Sequence, residues 1–231
     1  MPGAFLDRLT WQEAAERLAR NRPVVVPVGA GAKAHGPHLP LGTDRITVEA
    51  VAERLARRAD VLIAPTVTFG FYPAFVNYPG SQNLGAATFQ TLVVEIVEGF
   101  LRHGARRILL LNNGVSTEAP LRRAVEDIRQ RHGVAIGAAD LPRMGRSLDH
   151  LWEVPGGHAD ERETSLVMAI APDVVRRDRL PAAADENSGP AGLGTGATAD
   201  ARAATAEKGE KLLEALVEEV ARSLRALWPE A

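Results

Sequence analysis

The 231-residue sequence contains no cysteine. That absence excludes disulfides, thiolate zinc sites and a cysteine nucleophile, and it fits a reducing compartment. The formal net charge is only -2, so there is no charge excess to draw the chain to nucleic acid or an acidic membrane surface. No stretch approaches the ~18 consecutive apolar residues needed to span a bilayer. Met1 to Thr10 lacks the basic start and apolar core of a signal peptide. What is present is ordinary for a globular protein, with 45% apolar and 24% charged residues. The expectation is a cytoplasmic chain forming one domain over residues 1–231.

Two periodicities alternate along it. Thr10 and Glu13 form a capping box ahead of Trp11, Ala14, Ala15 and Leu18 at helical spacing. Asn21-Arg22-Pro23 then breaks the helix before the apolar run Val24 to Val28, which reads as a strand buried on both faces. Further strands are expected at Val61–Ala64, Arg107–Leu111 and Val134–Ala138. Helices are expected from a cap at Thr43 or Asp44, then over Phe89–Leu101, Glu118–Arg131 and Leu212–Leu227. An aromatic loop with Gly and Pro fills residues 69–84, and Pro181 to Asp200 reads as a second loop. This rhythm predicts a three-layer αβα fold with a mostly parallel central sheet. In such sheets the site lies outside the carboxyl ends of the strands, where the polar clusters of this sequence fall.

Directly after the Val24–Val28 run, His35, His38 and Asp44 fall within ten residues. Neutral imidazole and carboxylate together suit Zn, Mn or Fe(II), and a loop leaves coordination positions open for water and substrate. The structural alternative is that the histidines satisfy loop backbone groups while Asp44 caps a helix.

The string His35-Gly36-Pro37-His38-Leu39-Pro40-Leu41-Gly42-Thr43-Asp44, preceded by Pro27-Val28-Gly29, resembles the creatininase family. Four more segments share the likeness in the same order. They are Tyr78-Pro79-Gly80-Ser81-Gln82-Asn83-Leu84, His103-Gly104-Ala105-Arg106-Arg107-Ile108, His158-Ala159-Asp160-Glu161-Arg162-Glu163-Thr164-Ser165 and Ala204-Thr205-Ala206-Glu207-Lys208-Gly209. The resemblance implies a creatininase-like fold, metal-dependent hydrolysis of amide-type C–N bonds in cyclic or formylated small molecules, and a homo-oligomer, typically a hexamer.

It also implies a metal site, which this sequence matches only in part. His35 and Asp44 fall on family ligand positions, with Asp44 where binuclear members bridge two ions. Lys33 stands where the family has a Glu, and Val115 follows Asn113-Gly114 where the family has a His. An ammonium repels a dication and an isopropyl group offers no lone pair. The expectation is therefore a reduced site of one Zn, Fe or Mn ion on His35, Asp44 and a third ligand. Glu163 is the first choice for that ligand, with Glu118 and His38 behind it.

His158, Glu161 and Glu163 make a second cluster, after Trp152 and a Pro155-Gly156-Gly157 turn. A helix beginning near Ala159 would place His158 at its N-terminus, where the dipole favours neutral imidazole. In the family the matching His donates a proton to the leaving nitrogen, and Trp152 resembles an aromatic lid. Glu161 is a catalytic candidate or merely an acidic residue of a first helical turn. Tyr72, in the aromatic loop, and Asn113 and Ser116, after a strand, are candidate substrate contacts, with His38 beside them.

Two functions remain open at this stage. The first is a hydrolase in which a metal activates water and His158 protonates the leaving nitrogen. The second keeps the fold without the metal, as a small-molecule binding homologue or an enzyme of altered chemistry. In that case Lys33 becomes the working group, because burial can turn a lysine into a base or an imine-forming amine.

Overall fold

The computed structural model describes residues 3–153, 156–182 and 194–229. Pro155 of the expected turn, and residues 183–193 of the Pro181–Asp200 loop, lie outside the described residues. Five parallel strands form one sheet: β1 (Ala4–Phe5), β2 (Val24–Val28), β3 (Leu62–Ile63), β4 (Ile108–Asn112) and β5 (Gly137–Asp140). Their spatial order is β1-β3-β2-β4-β5.

Side-chain alternation along the strands builds the two outer layers. Val25, Ile63, Leu109, Leu111 and Ala139 point to a core shared with α2 (Thr43–Arg58), α5 (Glu161–Ile170) and α6 (Ala206–Leu227). Val24, Val26, Val28, Leu62, Ile108 and Leu110 point the other way, towards α3 (Ala86–Arg102) and α4 (Glu118–His132). Leu18 of α1 (Trp11–Ala19) joins that second core. Residues two apart share a face, so an unbroken apolar strand such as Val24–Val28 serves both cores at once.

The order of the sheet fixes where a site can form. From β2 the chain crosses to β3 on one side, and from β3 it returns to β4 on the other side of β2. The segments leaving β2 and β4 therefore diverge and open a crevice at their carboxyl ends. Residues 29–44 and 113–118 line that crevice, tied by Asn113 N–H to the Val28 carbonyl at 2.9 Å. Asn113 Nδ2 also donates to the Asp44 carbonyl at 3.1 Å.

Several boundaries differ from the sequence expectation, α3 among them, which begins at Ala86 rather than Phe89. The last strand begins at Gly137 rather than Val134, because pairing with Leu109–Asn112 selects Gly137–Asp140. The final helix begins at Ala206, six residues before the apolar stripe, with Thr205 accepting from Lys208 N–H as its cap. The first strand, Ala4–Phe5, is two residues long and leaves no periodic signal. Among the described residues no helix is long and apolar enough to cross a membrane.

Candidate active site

The loop after β2 turns sharply at Gly36, whose φ of +67° favours glycine. A Cβ there would also press on His38 Nδ1 at 3.1 Å and the Ala197 methyl at 3.0 Å. The turn carries His35 and His38 into full burial. His38 Nε2 lies 2.7 Å from Thr164 Oγ1, joining this loop to α5, while its Nδ1 is buried without a partner. Burial, then the nearby charges of His35 and His158, pull the His38 pKa down to about 4.

Asp44 does not cap α2. Gly42 occupies the N-cap and Asp44 lies in the first turn, with its carboxylate directed into the loop. Oδ1 faces His35 Nε2 at 3.0 Å, and Oδ2 faces the Lys33 ammonium at 2.7 Å. The second contact is an ion pair without the alignment of a hydrogen bond, since Oδ2 makes none. Burial alone would raise the Asp44 pKa. The opposing pull of Lys33, then of His35, outweighs it and holds the carboxyl well below the usual range.

His158 reaches the same place from the other side of the crevice. Its Nε2 lies 2.7 Å from the Ala34 carbonyl, and its ring centroid is 4.6 Å from that of His35. The Phe75 ring covers it at 4.5 Å. Ala159 adopts a φ of +53°, a strained conformation for a non-glycine residue. Its N–H donates to Glu163 Oε2 at 2.6 Å. The helix expected to start near Ala159 starts at Glu161, with Asp160 as N-cap. The low His158 pKa, about 3, therefore comes from burial first, then from His35 and Lys33, and not from a helix dipole. Burial, then Glu163, raises the pKa of the capping Asp160 to about 6.

The donor pattern bears on whether a metal fits. A backbone carbonyl only accepts, so His35 Nδ1, 2.8 Å from the Lys33 carbonyl, donates there. His158 Nε2 likewise donates to Ala34. The remaining nitrogens, His35 Nε2 and His158 Nδ1, face the carboxylates of Asp44 at 3.0 Å and Glu163 at 3.5 Å. Each ring is fixed by its other N–H on a backbone carbonyl, as the rings of metal-ligating histidines are. Ligand atoms of His35, His158 and Glu163 lie within 4.8 Å of one another. Two neutral imidazoles and a carboxylate suit one Zn, Fe or Mn ion.

Several other expected residues have structural partners instead. The carboxylate of Glu118 is held by Arg143 at 3.0 Å and is not among the converging donors. Glu161 is buried and bound by Lys208 at 2.5 Å and by Glu153 N–H at 2.8 Å, so it anchors α6 to the start of α5. Trp152 is no open lid. It packs with Leu166, Leu212 and Leu216 in the core, its indole N–H unpaired. Ser116 donates to the Phe71 carbonyl at 2.7 Å and fixes the aromatic loop. Tyr72 is buried beneath that loop with its phenol unpartnered, and burial, then Asp44, raises its pKa well above the usual value. Residues the sequence did not single out are Thr164, the partner of His38, and Ala159, whose strained backbone orients Glu163. A cavity of about 360 Å³ beside Phe5, Glu49 and Glu53 lies at the β1–β3 edge, and none of the converging donors lines it.

The comparisons with known proteins identify the family and the fold. The model of the creatininase (creatinine amidohydrolase) family matches residues 7–224. The chain belongs to the creatininase family. A creatinine amidohydrolase of Pseudomonas putida is 29% identical, covering 97% of each chain. A mycofactocin precursor peptide peptidase of Mycolicibacterium smegmatis is 30% identical over 68% of this chain and 61% of its own. Among solved structures, a creatininase mutant of the Zn-Zn type superposes with a TM-score of 0.84 at 27% identity, covering 99% of this chain and 100% of that one. As a creatininase-family member this chain is an amidohydrolase with the family's three-layer αβα fold.

Proposed function

We propose that this creatininase-family enzyme hydrolyses an amide-type C–N bond in a small cyclic or formylated molecule, using one divalent ion on His35, His158 and Glu163. The observation that carries this reading is the convergence of those three donors within 4.8 Å. Hydrolysis joins the oxygen of water to the carbonyl carbon, breaks the C–N bond and leaves a proton on the departing nitrogen.

When bound, the ion supplies Lewis acidity and lowers the pKa of a coordinated water toward ~7. The chain's own groups do the rest. The carbonyls of Lys33 and Ala34 lock the two imidazoles in the tautomers that face the ion. Ala159 N–H steers Glu163, and Asp44 adds negative charge beside His35. The Phe75 ring over His158 keeps water from that face. The unpaired Tyr72 phenol is a donor for the substrate. In this arrangement His158 is a ligand, and its low proton affinity, with a pKa near 3, suits that role better than carrying a proton.

The same reading takes in one domain, cytoplasmic residence and assembly as a homo-oligomer of hexamer type. The exposed side chains of Phe69, Val76 and Val115 offer apolar surface for that assembly. A second reading, metal-free chemistry at Lys33, draws on the buried ammonium 2.7 Å from Asp44.

The deciding experiment treats the protein with chelator, reloads it with Zn, Fe or Mn, and follows a panel of cyclic and formylated amides by mass spectrometry. Hydrolysis lost on chelation and restored by metal supports the first reading. Turnover indifferent to chelation supports the second.

A further inference from the structure

Asp44 is a single buried carboxylate whose two oxygens are divided. Oδ1 faces His35 Nε2 at 3.0 Å, and Oδ2 faces the Lys33 ammonium at 2.7 Å. We infer that Lys33 is a fixed cation filling the place of one of two metal ions, so that this chain holds a single divalent ion with the lysine as its neighbouring positive charge. The inference rests on the metal-dependent reading above and assigns to Lys33 the place that a second ion would take.

Three observations support it. The Lys33 side chain is only 8% exposed and Asp44 2%, and breaking a buried ion pair strands a charge, so the ammonium has no low-cost way to swing out for a metal. The Tyr72 and Phe75 rings lie 5.7 and 5.3 Å from its nitrogen, within cation–π range. Among the described residues a single cluster of three candidate ligands converges; beside it Oδ2 faces the ammonium, and Val115, on the turn after β4, offers only an exposed isopropyl group.

Charge balance points the same way. Asp44 and Glu163 against Lys33 leave one net negative charge around two neutral imidazoles, which one dication more than compensates. A second dication would be packed unscreened against both the first and the ammonium. The structural relative of the Zn-Zn type shares the fold at a TM-score of 0.84, so the difference lies in the residues of the site and not in the architecture.

The substitution also changes the chemistry. An ammonium cannot ionise a bound water as a metal does, but its three N–H donors are not aligned on Asp44 Oδ2, which holds the group as an ion pair. They can meet the carbonyl oxygen of the substrate, where negative charge builds during attack by water. Lys33 then serves as an electrostatic clamp, and the lone metal activates the water.

The test counts ions. Wild type, Lys33→Glu and Lys33→Met are stripped, loaded with Zn²⁺ or Mn²⁺, desalted and analysed for metal per chain, with circular dichroism to verify folding. Wild type should hold no more than one equivalent and Lys33→Glu one more than wild type. Lys33→Met should bind its ion at least about 10-fold more tightly in competition with a chelator, because a like charge has gone. Two equivalents in wild type would overturn the inference and leave the metal-dependent reading standing. Equal counts in wild type and folded Lys33→Glu would overturn it too. If wild type holds none but Lys33→Glu takes up one, the exchange of lysine for metal stands and the metal-dependent reading of wild type fails. Should Lys33→Glu not fold, Lys33→Met decides, and unchanged affinity counts against the inference.

Discussion

Nδ1 of His158 lies 3.5 Å from Oε2 of Glu163, two atoms that both offer electrons and neither a proton. His35 Nε2 and Asp44 Oδ1 face each other at 3.0 Å beside them. Each imidazole places one N–H on a backbone carbonyl. A cation would satisfy the facing atoms of His158 and Glu163, and that geometry supports a metal in this site.

His158→Ala should therefore lose its metal, with kcat/KM falling by about 100-fold or more. Metal content and turnover measured on the same preparation check this. A variant that kept its ion and lost only kcat would make His158 the proton donor implied by its family resemblance.

Tyr72→Phe separates binding from folding. The buried phenol has no partner among the described residues, so removing it should leave stability unchanged within about 1 kcal/mol or raise it. If the phenol donates to substrate, kcat/KM should fall about 10-fold. Urea titration beside steady-state kinetics reads both. A clear loss of stability with unchanged kinetics would assign Tyr72 to the core alone.

Gly209→Ala tests the packing that holds α5 in place. A Cβ at this position would lie 1.8 Å from the Ser165 carbonyl oxygen, so the two helix backbones must separate. The expected loss is about 3 kcal/mol in urea denaturation, with metal retained by whatever protein folds. A neutral effect would mean that α6 shifts freely over α5.

Much of this was readable from residue order. The apolar runs at Val24–Val28 and Ile108–Leu111 announce strands buried on both faces, and the polar clusters after them fall in the crevice between β2 and β4. The sequence placed His35, Asp44 and Glu163 in one neighbourhood because ligand-type residues follow strand or helix boundaries at short spacing, and their side chains meet around the crevice. Trp152, Glu118 and Glu161 read as site residues from the same neighbourhoods. Whether a side chain turns to the crevice, to Arg143 or to Lys208 depends on partners 25 and 47 residues away, which local pattern does not encode. The positive φ of Ala159 is hidden for the same reason, since nothing in its identity signals a strained turn. Gly209 is the reverse case. The motif marks the glycine, and only the contact with Ser165 explains it.

The most direct test of the central claim is metal per chain by elemental analysis, on tag-free wild type and His35→Ala. His35 is fully buried between the Lys33 carbonyl and Asp44, so circular dichroism on the same preparation separates loss of a ligand from loss of the fold. One equivalent of Zn, Fe or Mn in wild type, lost in His35→Ala, is the predicted result. No ion in wild type, even after anaerobic reconstitution, would contradict the account and leave the Lys33–Asp44 pair as the working chemistry of the site.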